Sequence, residues 1–195
     1  MRELKSIEEK ILDRALYIFG KSGTSNVSIR AISKEAEVNV SAINYYFGSK
    51  EEMLKNVQAF YIENTIAAYS ELDNDNLNDE EKVILCANEI MEYSLKYPGV
   101  LVMQKEAASA DSNDEMAKKI IDVTAKMNNK LDETLKKVIK PKEGKFPYMR
   151  MVFLSSISYP IGDTNIEGFN KNFLDKKEER IKYIKYLINM LKENR

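Results

Sequence analysis

Apolar residues recur three and four positions apart over most of this chain, the period of helices lying against a core. Ile7, Ile11, Ala15 and Ile18 share one such face. The capping-box pair Ser6 and Glu9 opens it and Gly23 closes it, which predicts a first helix from about Ile7 to Lys21. Ser28 suits the N-cap of a short second helix carrying Ile29, Ile32 and Ala36 inward. "EVN" turns the chain, and a third short helix begins near Val40. Ser49 and Glu52 form a second capping box, opening a long fourth helix with Met53, Val57, Phe60 and Ile66 available for burial.

The polar stretch "ELDNDNLNDEEK" reads as a loop before a fifth helix, Asp79 to Lys96, with Val83, Ala87, Ile90, Met91 and Ser94 inward. Pro98-Gly99 breaks the chain, a short sixth helix follows, and "SADSND" breaks it again. In the long seventh helix Met116, Ile120, Met127, Leu131, Leu135 and Val138 form one continuous stripe. "KPKEGKFP" is a loop whose Pro147 suits the first turn of an eighth helix. That helix, "YMRMVFLSSISYPI", is apolar nearly all round and should be covered on more than one side. The loop "GDTNIEGFNKN" precedes a last helix bearing Ile181, Ile184, Leu187, Ile188 and Leu191. About nine helices and no strand pattern predict an all-α fold.

Composition narrows the chemistry. With 7 Gly and 4 Pro in 195 residues the chain is poor in helix breakers, and 44% hydrophobic residues suffice for a packed core. No apolar run reaches the length of a bilayer span, and the charged start, Met1 to Lys10, lacks a signal-peptide core, so a cytoplasmic location without membrane partners is expected. The single cysteine, Cys86, falls in an apolar helical pattern and reads as a small buried core residue. There is no histidine, which removes histidine-activated nucleophiles, His-based zinc sites and imidazole acid–base catalysis. With no Gly-rich phosphate loop and no paired-cysteine spacing either, neither catalysis nor a cofactor is expected. The net charge of −1 counts mildly against a nucleic-acid binder, although helix N-termini and a few placed Lys, Arg and Tyr side chains hold phosphates well.

Helices two and three, joined by a tight turn and backed by helix one, make a helix-turn-helix. Ile29, Ile32, Ala36, Val38, Ile43 and Phe47 would form its small core. That leaves Asn39, Val40, Ser41, Ala42, Asn44, Tyr45 and Tyr46 pointing outward. These are small or hydrogen-bonding groups without a carboxylate, as a surface pressed into a DNA major groove requires.

At these residues the chain resembles the TetR family of bacterial transcriptional repressors. The resemblance rests on Phe19, Gly23, Ser28, Ile32-Ser33, Glu37-Val38-Asn39, "INYYF" and "SKEEML", and covers about the first quarter of the sequence. It implies a DNA-binding domain at residues 1–50 and a helical regulatory and dimerisation domain at 51–195. It also implies a ligand-responsive repressor that binds palindromic double-stranded DNA as a homodimer and releases it to a small-molecule effector. Lys50 would meet a phosphate at the N-terminus of helix four, and Tyr45 and Tyr46 would contact the DNA backbone. Arg30 would reach a guanine edge or a phosphate, and Ser41, Ala42 and Asn44 the base edges, with Ala42 or Val40 suited to a thymine methyl. Ser28 and Asn39, the caps of helices two and three, complete the set of expected DNA-binding residues. Two departures stand out: Glu37 occupies the usual turn glycine, and Asn44 a common tyrosine.

In the remainder, Met91, Tyr93, Met103, Gln104, Met127 and Phe153 are candidates for lining an effector pocket. Phe153, Ile157, Ile184, Leu187 and Leu191, on the last two helices, are candidates for the two-fold interface. The alternative is a helical small-molecule carrier or enzyme without DNA binding, for which "INYYFGSKEEML" would serve no purpose.

Overall fold

A computed structural model describes residues 6–162 and 172–193. Among the described residues the chain is helical, without strands, in the order α1 (Ile7–Ser22), α2 (Ile29–Glu35), α3 (Val40–Phe47), α4 (Lys50–Ala68), α5 (Asp79–Lys96), α6 (Gly99–Ser109), α7 (Glu115–Ile139), α8 (Phe146–Gly162) and α9 (Lys177–Glu193). No described helix is long and apolar enough to cross a membrane. The expected loop "GDTNIEGFNKN" lies almost entirely outside the described residues. The chain divides into two compact units: Met1–Ala67 with Lys96–Thr124, and Ala68–Leu95 with Ala125–Arg195.

In the first unit α1 packs on α2 and α6, and α2 on α3. Ser6 caps α1 by accepting from Glu9 N at 3.1 Å, and Gly23 ends the helix at φ +69°, a left-handed conformation that glycine adopts freely. The buried face of α1 is broader than the single stripe predicted, adding Leu12, Leu16 and Phe19 to Ile11 and Ala15. Ile7, expected inside, is 51% exposed in the first turn. On α4, Met53, Val57 and Phe60 are buried as expected, but Ile66 is exposed and Tyr61 and Ile62 take the inner positions.

The α1–α6 packing depends on two glycines. A Cβ on Gly99 would stand 2.0 Å from Leu16 O, and one on Gly20 2.4 Å from Gly99 N. Gly99 is therefore less a helix breaker than a site of backbone-to-backbone approach. Beside it the buried Asp13 carboxylate accepts from the Tyr97 hydroxyl and from Arg14 Nε, the latter at 2.8 Å. Burial, with the Asp13 carboxylate beside it, pushes the Tyr97 phenol well above its ordinary pKa.

The second unit has one apolar core, in which Val83, Ala87 and Met91 of α5 meet Leu131 and Leu135 of α7, Phe153 and Ile157 of α8, and Ile184, Leu187 and Leu191 of α9. The predicted bounds of α5 and the stripe on α7 hold, with Leu131, Leu135 and Val138 buried and Met127 partly so. Cys86 is buried, and desolvation pushes its thiol up, away from the reactive thiolate. The buried Arg180 is tied down on every side. Its guanidinium donates to Asn88 Oδ1 at 3.0 Å, Glu92 Oε2 at 2.6 Å, Leu174 O at 2.9 Å and Asp175 O at 3.1 Å.

Candidate nucleic-acid interface

The helix-turn-helix is built by caps and two anchors. Ser28 Oγ accepts from Ala31 N at 3.2 Å and starts α2. Asn39 Oδ1 accepts from Ser41 N at 3.0 Å and starts α3, the capping role expected of it. Ser49 Oγ accepts from Glu52 N at 3.1 Å and starts α4. Between α2 and α3 the backbone passes through Glu37 at φ +55°, so the turn does take the left-handed conformation that a glycine would accept at lower cost.

Ile43 and Phe47, one helical turn apart, bury one side of α3 against the small core formed with Ile32 and Ala36. Ile29 and Val38, expected in that core, are half-buried at its margin. The opposite side of α3 presents Ser41, Asn44, Tyr45 and Tyr46, all exposed, Tyr45 to 83%. The Tyr45 and Tyr46 rings meet edge to face with centroids 5.1 Å apart, which holds Tyr45 upright without covering it. Val40 and Ala42 are half-buried beside them, and Ser28, Arg30 and Asn39 are exposed.

Lys50, at the start of α4, is half-buried, and its Nζ donates to Asn26 Oδ1 at 3.0 Å. An ammonium has three donors, so this bond leaves two for a phosphate. The surrounding charge is balanced. Glu37, Glu51 and Glu52 are exposed nearby in sequence, and Glu52 pairs with Lys55 at 2.6 Å. The presented face carries shape and hydrogen-bonding groups more than net positive field.

Sequence reasoning missed Asn26 and Glu106, and gave Ser33 no role beyond its place in the family pattern. Ser33 is buried, with its hydroxyl donating to Arg30 O at 3.0 Å. Glu106 on α6 accepts from Thr24 and Ser25 in the α1–α2 loop. The Thr-Ser-Asn composition of that loop is the one signal that could have flagged it, since these residues bond the backbone locally.

The other candidates fall differently. Of the six pocket candidates, Met103 and Gln104 lie in the first unit and Met91, Tyr93, Met127 and Phe153 in the second. Met91 and Phe153 are wholly buried in the second unit's core. Gln104 Nε2 donates to the Tyr61 hydroxyl at 3.0 Å, which stands 3.4 Å from Thr124 Oγ1. The five residues expected at a two-fold, Phe153, Ile157, Ile184, Leu187 and Leu191, are likewise buried in the chain's own core. Among the described residues, the large apolar groups that α8 and α9 leave exposed are instead Tyr148, Met151, Val152 and Tyr186. A helix apolar on all sides carries no signal of which side its own chain covers.

Comparison with known proteins agrees with this geometry. Residues 11–57 match the family model described as bacterial regulatory proteins, tetR family. The chain is 40% identical over 57 residues to the probable HTH-type transcriptional regulator YttP of Bacillus subtilis, covering 29% of this chain and 28% of that one. It is 32% identical over 62 residues to the uncharacterized HTH-type regulator YuxN of the same organism, covering 32% and 21%. The match thus spans less than a third of either relative. The fold as a whole is similar to the ketosteroid transcriptional regulator KstR2 of Mycobacterium tuberculosis, with a TM-score of 0.70 at 15% identity over 96% of this chain and 95% of that one. It is similar also to the TetR-family regulator PfmR of Thermus thermophilus, with a TM-score of 0.64 at 19% identity over 92% and 97%. The helix-turn-helix segment of this chain, residues 11–57, thus matches the tetR family of bacterial regulatory proteins, and its fold is similar to that of solved TetR-family regulators.

Proposed function

We propose that the chain is a transcriptional regulator that binds a palindromic operator as a homodimer and releases it when a small molecule binds. The observation that carries this reading is the outer face of α3, on which Ser41, Asn44, Tyr45 and Tyr46 stand exposed and no carboxylate intrudes. A helix so presented can enter the major groove, with Ser41, Ala42 and Asn44 toward base edges and Tyr45, Tyr46 and Lys50 toward phosphates. Arg30 on α2 adds a second cation at the margin. Residues 1–50 would read DNA and 51–195 would regulate and pair the protomers.

One reading head makes few contacts, so useful affinity requires two heads at half-sites one helical turn apart. The exposed apolar groups of α8 and α9, Tyr148, Met151, Val152 and Tyr186, are the natural surface for the two-fold. Effector control needs unequal ligand affinity for the DNA-bound and released forms. Gln104, already paired with Tyr61, supplies a polar group to which a ligand could bond, and Met103 an apolar neighbour.

The test is a gel-shift assay against duplexes covering the DNA that flanks this gene. Specific retention that falls steeply with salt supports the reading, because each phosphate contact releases counterions. Lys50→Met and Tyr45→Ala should weaken retention while leaving the melting temperature nearly unchanged. Retention unaffected by either change would count against the proposed face.

A further inference from the structure

Lys50 does not hang free at the proposed interface, and the chain of bonds that holds it begins on a different helix. Its Nζ donates to Asn26 Oδ1 at 3.0 Å. Asn26 N donates to Thr24 Oγ1 at 3.1 Å. Thr24 Oγ1 donates to Glu106 Oε1 at 3.1 Å, and Ser25 N donates to the same oxygen at 2.9 Å. One carboxylate oxygen on α6 thus fixes two successive residues of the α1–α2 loop, and that loop fixes the ammonium. All of these residues belong to the first unit.

We propose that Glu106 is a positioning residue for DNA binding, acting through Thr24 and Asn26 on Lys50. The proposal rests on the reading of Lys50 as a phosphate contact. A lysine has a long side chain with many rotamers, and ordering it at the moment of binding weakens the contact it makes. Holding it beforehand at Asn26 removes part of that loss while leaving two ammonium donors for phosphate oxygens. Glu106 itself stands about eighty residues away in sequence (separations of 82 and 81 to Thr24 and Ser25), and these two hydrogen bonds go to the α1–α2 loop. Because the acceptor is carried by α6, a displacement of that helix would be felt at a phosphate contact without any change in α3.

The test is a double-mutant cycle on a duplex selected by the wild-type dimer from a random-sequence pool, with affinity measured by fluorescence anisotropy over a range of salt. Lys50→Met should lower the log–log salt slope by about one. Glu106→Ala, Thr24→Val and Asn26→Ala should each weaken wild-type binding by about 2- to 10-fold. In the Lys50→Met background the same three changes should matter by less than about twofold. Glu106→Gln, which keeps an accepting Oε1, should bind within about twofold of wild type. Should Glu106→Ala fail to fold, Thr24→Val and Asn26→Ala, in the same relay, decide the matter. Equal losses in both backgrounds, or no loss in the wild-type background, overturn the role of Glu106. A wild type that selects no duplex removes the functional reading itself, and the two failures are therefore told apart.

Discussion

Glu37 is held at φ +55° in the turn between α2 and α3, where an L side chain crowds the neighbouring carbonyl and glycine does not. Glu37→Gly relieves a strain of about 1–2 kcal/mol. Two effects oppose the gain. The pair with Lys10, at 3.7 Å between side chains 83% and 43% exposed, contributes no more than about 0.3 kcal/mol. Glycine also loosens the unfolded chain, at a cost of about 0.5–1 kcal/mol. The balance favours glycine by about 0.2–0.7 kcal/mol. In a chain of this size that is about 0.5–3 °C in melting temperature. Glu37→Ala serves as the control, since it removes the charge and keeps the strain. The assay is urea unfolding followed by circular dichroism, with all three proteins at one concentration because any self-association feeds into apparent stability. The expected order of midpoints is glycine first, with glutamate and alanine close together below it. A glycine variant no more stable than the alanine variant would refute the strain and the turn geometry behind it.

Gly99→Ala pushes a Cβ into the Leu16 carbonyl, so α1 and α6 must separate, and a loss of about 1–3 kcal/mol is expected in the same unfolding assay. Arg180→Met strands Asn88, Glu92 and two carbonyls, and should cost about 3 kcal/mol; an unchanged urea midpoint would contradict the role given to that guanidinium. Met151→Glu should yield a folded monomer by light scattering, whereas Phe153→Glu should unfold the second unit, since only Met151 is at the surface. Burial raises the Cys86 thiol and the Tyr97 and Tyr183 phenols, so the folded chain holds these protons more tightly than the unfolded one. Their stabilisation is complete below the ordinary thiol range and is lost as pH rises through it, so the urea midpoint should be lower at about pH 10 than at about pH 7.

Elements governed by local periodicity were readable in advance. The bounds of α5, the stripe of α7 and the caps Ser6, Ser28, Asn39 and Ser49 depend on residues within one or two turns of each other, and the structure has them where the pattern puts them. The outer face of α3 was readable for the same reason, because two large anchors one turn apart fix the rotation of so short a helix. Whatever depends on a distant partner was not. Nothing near Asp13 announces Tyr97, and nothing near Arg180 announces Asn88 or Glu92 on α5. The rotation of α8 was equally hidden, since its apolar residues run round the whole helix. Phe153 and Met151 look alike in sequence, yet one is wholly buried and the other largely exposed.

The central claim, that the outer face of α3 lies in the groove of a duplex, is tested most directly by binding a labelled duplex from the gene's flanking DNA. Wild type is compared there with a variant carrying Ser41→Ala, Asn44→Ala and Tyr45→Ala together. These three side chains are exposed, so the variant should keep the wild-type melting temperature while its affinity falls by about 100-fold or more. A folded variant that binds the duplex as tightly as wild type would contradict the claim.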